Sequence, residues 1–211
     1  MMETWCRRVG ETSSNGMAAF GTKQKIPPFS GRICNKVARG AINSKPIYRA
    51  GAGRFIARGF SQHREYSPFA LALWSKQPLA VCEVRMIGDY PYIRAQTADG
   101  TALYALHPPP PISSELAGAR QHYLAETARA LAAEPRTLAV GDFNSSPFSP
   151  LFARFLQESS SRPATRYFTP TWQPFFLNID HALAKGLNVS ARTLPWQHSD
   201  HRPLLVEYTG Q

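Results

Sequence analysis

The sequence predicts an α/β sandwich, on three observations. From Tyr66 onward, strand and helix patterns follow one another as several strands, a helix, a strand, a second helix and further strands. That order is typical of helices packed against β-sheets. The chain has 211 residues, 43% of them hydrophobic, which is enough for one domain with a sizeable core. It has no run of about 18 apolar residues, so no membrane span is expected.

The basic charge of the chain is confined to its first 64 residues. Of the 24 Lys and Arg, 12 lie in residues 1–64 with only 2 of the 14 Asp and Glu, which leaves 12 of each sign in residues 65–211. Because residues 1–64 also show no convincing helix or strand pattern, we predict a poorly patterned basic arm over 1–64 and one domain over 65–211. The arm can bind phosphate backbones, act as a targeting segment, or be foreign to the domain through an altered gene start or reading frame.

The cysteines predict a reducing environment. Cys6, Cys34 and Cys82 lack any metal-binding spacing and are odd in number, which indicates free thiols. A cytoplasmic location is the default prediction, with organelle targeting through residues 1–64 as the alternative. The sequence does not indicate an oligomeric state.

Strand patterns in the first half of the predicted domain indicate an antiparallel meander. Apolar or alternating runs lie at 69–74, 79–86, 92–97 and 101–107. Turn residues separate them at 76–78 and at Asp99-Gly100.

Two helices and further strands follow. Ser113 or Ser114 can cap the first helix, which Pro135 stops. A buried strand is predicted from Leu138 to Gly141, and Ser149 followed by Pro150 suits the cap and first position of a second helix. Strand patterns return at 178–184, 188–194 and 203–208.

Polar side chains lie at the ends of several of these strands. Such a group costs packing energy unless it is used or satisfied internally. One such segment carries little information, whereas several together indicate a site. The segments are ALHPPPP (105–111), GDFN (141–144), NIDHAL (178–183) and SDHRPL (199–204).

Asp142 and Asn144 are the first candidates. On an extended segment they point to the same side, whereas Phe143 points into the core. The alternative is an Asx turn, because Asp and Asn both bond readily to nearby backbone groups.

His201 is the most suggestive residue of the set. A His at a rigid strand entry can act as acid or base near neutral pH if a carboxylate such as Asp180 holds its ring. The alternative makes His201 an ordinary loop residue and Asp200 its turn partner. His107 is a second strand-end His, and this mixture of oxygen ligands and histidines suits Mg²⁺ or Mn²⁺ better than structural zinc.

The ordered set HP, GDFN, IDH and SDHRP resembles the C-terminal part of the endonuclease/exonuclease/phosphatase superfamily, which includes DNase I. The segment FALALWSKQPL (69–79) is similar to the strand that precedes that family's central motifs. The resemblance covers about residues 66–208. It implies a four-layer α/β sandwich of the DNase I-like type and a metal-dependent phosphoester hydrolase, either a phosphodiesterase or nuclease or a phosphatase, that uses activated water.

The resemblance also implies residue roles. Asp142 would orient or deprotonate the attacking water, and Asn144 would hold the water or the phosphate. His201 would contact the scissile phosphate, with Asp180 bonded to its far ring nitrogen. His107 would lie on the leaving-group side.

The metal site departs from the family pattern. Asp200 would help to bind Mg²⁺ or Mn²⁺, but the family's principal ligand is a Glu at the end of an early strand. Residues 1–64 contain only Glu3 and Glu11, neither of which follows a buried strand. The N-terminal half of the fold is therefore predicted to be incomplete, with an unpaired sheet edge within 69–107 and weakened metal binding.

Two alternatives to an enzyme remain. The chain can be a non-catalytic remnant that binds phosphate-rich ligands, or a nucleic-acid-binding protein whose function lies in residues 1–64. A nucleic-acid substrate would meet basic and aromatic loops. For Trp172 the alternative, which we favour, is that it packs its loop beneath the site. The candidates for such loops are Arg162, Arg166, Tyr167, Trp172 and Trp196.

Overall fold

The computed structural model describes residues 3–5, 32–38, 55–59, 71–75, 79–166, 168–173, 175–196 and 199–210. These ranges contain two helices, α1 (Ser114–Ala132) and α2 (Pro150–Ser159). The strands are β1 (Glu3–Trp5), β2 (Arg32–Ala38), β3 (Phe55–Gly59), β4 (Leu71–Ser75), β5 (Val81–Ile87), β6 (Tyr90–Gln96), β7 (Ala102–Leu106), β8 (Thr137–Asp142), β9 (Arg162–Pro163), β10 (Asp180–Lys185), β11 (Leu187–Thr193) and β12 (Leu204–Gly210).

The strands form two six-stranded sheets that share one core. The first sheet has the order β11-β12-β2-β1-β4-β3 and the second has the order β5-β6-β7-β8-β10-β9. Strand β8 shows how they pack: Leu138 and Val140 face the first sheet, whereas Ala139 faces the helices. Because both faces are covered, the strand reads as a continuous apolar run. The predicted α/β sandwich is confirmed as the fold class.

Both helices lie on the outer face of the second sheet. Tyr123 of α1 and Phe152 of α2 are fully buried in the cluster formed there. Helix α1 begins as predicted, with the Ser113 hydroxyl accepting a hydrogen bond from the Leu116 amide at 3.1 Å. Helix α2 has Pro150 at its start, but the Ser149 side chain makes no capping bond, contrary to the prediction. Neither helix is long and apolar enough to span a membrane.

The N-terminal part of the chain contributes strands that the sequence did not predict. Strands β1, β2 and β3 lie within residues 1–64 and belong to the first sheet. Strand β4 pairs with β1 and β3, so the unpaired edge predicted within 69–107 does not arise at β4. The sequence of residues 1–64 shows no convincing strand pattern, yet these three segments are strands. The division of the chain at residue 65 stays a prediction.

The predicted meander is one strand shorter than expected. Strands β5, β6 and β7 pair in sequence, and Gly100 makes the turn before β7 with a φ of +80°. Strand β4 lies in the other sheet. The sequence could not show this, because a strand's local pattern does not specify its partner. The turn predicted at 76–78 lies outside the described residues.

Gly141 allows β7 and β8 to approach closely just before the candidate site residues. A Cβ atom at this position would lie 1.8 Å from the Leu106 carbonyl oxygen and 2.9 Å from the Leu106 carbonyl carbon. Both atoms belong to the backbone and cannot move aside like a flexible side chain. Only glycine therefore fits here without separating the strands that end at Leu106 and Asp142.

His181 ties the loop after β8 to β10. Its Nε2 donates a hydrogen bond to the Ser145 carbonyl at 2.8 Å, and its Nδ1 accepts from the Thr165 hydroxyl at 3.4 Å. The ring lies 4.2 Å from the Phe152 ring, measured between centroids. Burial lowers the pKa of His181 to about 4, so the ring is neutral.

We expect Gly141→Ala to destabilise the fold by roughly 3 kcal/mol or more, because the added methyl group overlaps the Leu106 carbonyl. Urea unfolding at neutral pH measures this effect. Gly118→Ala is the matched control, since a Cβ atom there meets nothing within 4 Å and should stabilise α1 by roughly 0.5–1 kcal/mol. Equal stability of Gly141→Ala and the parent chain would show that the close approach is not required.

We expect His181 to make stability depend on pH. The unfolded chain binds a proton at this residue below a pH of about 6.5, whereas the folded chain does so only below about 4. The free energy of unfolding that His181 contributes is therefore fully present above pH 6.5. It falls by roughly 3 kcal/mol as the pH drops to 4, because protonation of His181 favours the unfolded chain. Urea unfolding of His181→Gln between these pH values should show a smaller decline than the parent chain. His122→Gln, on the exposed face of α1, is the control and should decline as the parent does.

Candidate active site

Three neighbouring strands of the second sheet bring polar residues to one edge. Strands β7 and β8 are parallel, so both end there, and β10 is antiparallel to β8 with Asp180 opposite Asp142. His107 directly follows β7. His201 reaches the same edge from the turn that precedes β12 in the first sheet. The site therefore lies where the two sheets meet.

The four side chains form a compact buried cluster, each only 1–2% exposed. His201 Nδ1 donates a hydrogen bond to Asp180 Oδ2 at 2.8 Å. On the other side of the ring, His201 Nε2 lies 3.9 Å from Asp142 Oδ2. That same oxygen lies 4.0 Å from His107 Nε2. One carboxylate oxygen is thus placed between two imidazole rings.

The electrostatics of the cluster separate the roles of its members. Burial by itself would lower the pKa of His201, but the Asp180 carboxylate, with help from Asp142 and Asp200, raises it to about 9. Burial and the negative charge of Asp180 raise the pKa of Asp142 to about 7. Burial and the nearby His201 cation lower the pKa of His107 to about 4. At neutral pH one imidazole is cationic and the other is neutral.

Asn144 is held tightly beside Asp142. Its backbone N–H donates a hydrogen bond to Asp142 Oδ1 at 2.7 Å, and its side-chain Nδ2 donates to the Pro108 carbonyl at 2.9 Å. Its backbone is left-handed, with a φ of +47°, which Asn tolerates better than most residues. Arg120 of α1 donates to the Asn144 carbonyl and to the Ser145 hydroxyl. The Asx-type bond considered from the sequence is present and fixes one oxygen of Asp142.

Asp200 lies at the margin of the cluster. Its Oδ2 accepts a hydrogen bond from Trp172 Nε1 at 3.3 Å, and its carbonyl accepts from the Gln173 amide at 2.7 Å. Trp172 also forms a β-bridge with His201, and their ring centroids are 6.3 Å apart. This supports the interpretation of Trp172 as a residue that packs against the site.

The described carboxylates do not by themselves fit a metal centre. Within the described part of the chain, no group of three or more His, Cys, Asp and Glu side chains is arranged to hold a metal ion. Asp142 and Asp180 each use one oxygen for a hydrogen bond, and Asp180 Oδ1 is buried without a hydrogen-bond partner. Asp180 Oδ1 therefore remains available as a single oxygen donor.

Several supporting residues escaped the sequence analysis. The Thr171 hydroxyl accepts hydrogen bonds from the amides of Ile179 and Asp180 at 3.2 and 3.1 Å, which fixes the start of β10. The Tyr123 hydroxyl accepts from the His107 amide at 3.2 Å and donates to the Pro91 carbonyl at 2.9 Å. Both residues act on backbone groups of other segments, 8 to 32 positions away along the chain, so no local pattern could have identified them. His181 lies within the NIDHAL segment, but its sequence position gave no indication of a supporting role.

Known proteins resemble this chain in both sequence and fold. A sequence model described as the Endonuclease/Exonuclease/phosphatase family matches residues 1–201. A comparison with curated protein sequences gave no match.

Solved structures with low sequence identity share the fold. An endonuclease/exonuclease/phosphatase from Beutenbergia cavernae DSM 12333 is 16% identical, with a TM-score of 0.59 over 72% of this chain and 53% of that protein. The human Nocturnin catalytic domain with bound sulfate is 16% identical, with a TM-score of 0.56 over 74% and 72% of the two chains. The 3′ phosphatase NExo from Neisseria, bound to a product DNA hairpin, is 15% identical, with a TM-score of 0.57 over 74% and 80%.

The chain thus spans about half the length of the Beutenbergia protein. At this level of identity, the structural likeness establishes the fold and not the substrate. The family match covers most of the chain, including all four quoted motifs except the last residues of SDHRPL. This chain belongs to the endonuclease/exonuclease/phosphatase family and has its DNase I-like α/β fold.

Proposed function

We propose that the chain is a phosphoester hydrolase that activates water with the cluster at the joined sheet edges. The observation that supports this is the buried Asp180–His201 pair, whose imidazole is directed at a second carboxylate, Asp142. Such an arrangement can provide a fixed positive charge and a proton acceptor at neighbouring points. Family membership supports the same kind of reaction.

His201 supplies the positive charge in this proposal. Asp180 occupies Nδ1 and fixes the ring, so Nε2 is the nitrogen that would face a bound phosphate. A positioned cation in a site with little water stabilises the charge that develops on the phosphoryl oxygens. Asp180 thus acts through His201 and holds its orientation.

Asp142 is the proposed acceptor for the proton of the attacking water. Its pKa, raised to about 7, suits a base that works near neutral pH. Water attacks phosphorus, its proton moves to Asp142, and the bond to the leaving oxygen breaks with its electron pair going to that oxygen, which takes a proton from solvent. No covalent intermediate forms. Asn144 would hold the water or the phosphate, and the neutral His107 would lie beside the leaving group.

We further propose that a divalent metal, Mg²⁺ or Mn²⁺, takes part, with Asp200 among its ligands. Family members generally use divalent metals. Since the described residues do not form a complete metal centre, no step of the reaction is assigned to the metal. The proposed location is the cytoplasm.

A second function is supported by the charge distribution. Residues 1–64 contain 12 Lys and Arg against 2 acidic residues, which suits binding of nucleic acid or another phosphate-rich ligand without turnover. The NExo structure contains product DNA, which makes nucleic acid a candidate partner class. Binding that weakens steeply with salt, together with absent phosphoester turnover, would favour this function over the hydrolase.

We expect His201→Gln to lower turnover of bis(p-nitrophenyl) phosphate by about 10²–10³-fold, because the substitution removes the cation that faces the phosphate. Release of nitrophenolate measures the rate. His122→Gln removes a His from the exposed face of α1 and should leave the rate unchanged. A parent chain without turnover, or a His201→Gln variant as fast as the parent, would contradict the proposal.

We expect turnover to be lost after treatment with EDTA and restored by added Mg²⁺ or Mn²⁺. If Asp200 is a ligand, Asp200→Asn should raise the metal concentration for half-maximal rate by about tenfold or more, since loss of a carboxylate weakens binding of hard cations. Asp89→Asn, in the exposed turn between β5 and β6, is the control. Full activity in EDTA would exclude metal dependence, and an unchanged metal requirement in Asp200→Asn would remove Asp200 from the ligand set.

A further inference from the structure

Exposed apolar side chains are concentrated beside the candidate active site. Single exposed apolar residues are ordinary, whereas a contiguous group indicates an interaction surface. In the described part of the chain, seven large apolar side chains are exposed, and only Val84 of β5 lies away from the site edge. The other six, which we call the apolar rim, are Ile112, Phe148, Phe168, Phe175, Phe176 and Leu177.

The loops that carry the apolar rim start or end at the site residues. Ile112 lies in the loop after His107, and Phe148 lies in the loop after Asp142. The remaining four lie in the loop that leads into Asp180. Because those site residues are neighbours at one sheet edge, the three loops leave the fold from the same place.

Ring contacts connect the apolar rim to the site and across its own loops. The His201 ring lies 6.3 Å from Trp172, and Trp172 lies 5.5 Å from Phe175, which is 72% exposed. Phe148 and Phe168 are 5.9 Å apart and join two of the loops. A line of aromatic rings thus runs from the buried imidazole to the surface.

Phe176 carries two energetic costs at once. Its side chain is 67% exposed, and its backbone is left-handed with a φ of +52°, which is rare for a bulky residue. Asn or Gly would relieve both costs. Stability of the fold therefore does not account for Phe at this position, which supports a role in contact with something outside the chain.

The charge of these loops narrows the class of partner. Residues 107–113, 143–149 and 164–179 contain one Lys or Arg, Arg166, and no Asp or Glu. A nucleic-acid surface needs several cations against the phosphate backbone. Loops that are rich in Phe and carry a single charged side chain are instead suited to the boundary between water and lipid, where apolar side chains enter the outer acyl region.

We propose that the apolar rim docks the protein on a lipid surface, so that a headgroup phosphoester lies next to His201. The docking follows from the exposed side chains and does not depend on catalysis. Delivery of the headgroup phosphate to the cluster rests on the proposed hydrolase function. The substrate class would be a phosphoester of an amphiphile presented at an interface.

Sedimentation of the full chain with phosphatidylcholine vesicles tests the docking. The parent chain should bind, and binding should not weaken as salt is raised, because the contact is apolar. A triple variant, Phe168→Ser, Phe175→Ser and Phe176→Asn, should bind at least about tenfold more weakly than the parent. Each of these Phe side chains is exposed in the free protein and would bury apolar area on docking. Val84→Ser removes the exposed apolar residue outside the rim and should bind as the parent does.

Two further variants separate docking from folding and from catalysis. Phe168→Ser alone changes a side chain that is 87% exposed, so it should keep the parent's thermal midpoint while weakening vesicle binding. His201→Gln should bind vesicles as tightly as the parent even if it has no turnover. Binding by His201→Gln without turnover in the parent would thus defeat the hydrolase and leave the docking supported.

Four results would overturn the docking proposal. The first is a parent chain that does not bind vesicles, and the second is binding that is equal in the triple variant and the parent. The third is binding of single-stranded oligonucleotide instead of vesicles, lost in the triple variant, which would assign the rim to base stacking. Size-exclusion chromatography would show a dimer dissociated by the triple variant if a second copy of the chain covered the rim, and this too would overturn lipid docking.

Discussion

The hydrogen bond between Asp180 and His201 is the interaction on which the site depends. It joins β10 of the second sheet to the residue that precedes β12 in the first sheet, across 2.8 Å in a buried environment. Removing either partner would leave a charged group buried without its counterpart, which commonly costs roughly 3–5 kcal/mol. The same contact therefore holds the imidazole in place and helps to hold the sheets together. Catalytic geometry and sheet packing cannot be separated here.

The remainder of the site is organised around backbone anchors. Tyr123 holds the His107 amide, Thr171 holds the Asp180 amide and His181 holds the Ser145 carbonyl. Each anchor is buried and comes from a helix, a loop or a strand that packs on the same edge. Groups fixed in this way need little rearrangement when charge develops on a substrate, which is the condition for electrostatic stabilisation. The close contact at Gly141 serves the same end by keeping β7 and β8 together.

Much of this arrangement could be predicted from the sequence, but for different reasons in different parts. Strands β6 to β8 and both helices have clear periodicity and turn residues, since each of them contributes buried side chains. Asp180 is a candidate partner of His201 on chemical grounds, and the family resemblance implies the same pairing. Nothing more local could indicate it, because two residues 21 positions apart in sequence carry no local sign of contact. The sheet to which β4 belongs depends on β1 and β3, whose short patterns are too weak to recognise alone. Arg120 and Thr171 act on distant backbone groups, so only the folded chain brings their partners to them.

The position of Asp142 between two imidazoles determines which groups of the cluster carry protons at neutral pH. One ring holds its extra proton and the other does not, which leaves Asp142 as the group closest to half-protonation at neutral pH. The proposed reaction needs the Asp142 carboxylate without a proton and the His201 ring with its extra proton. Since the pKa of Asp142 is about 7 and that of His201 is about 9, both groups are in the required form over the interval between these two values. The buried contacts that hold the cluster together thus also set the pH range in which it can act.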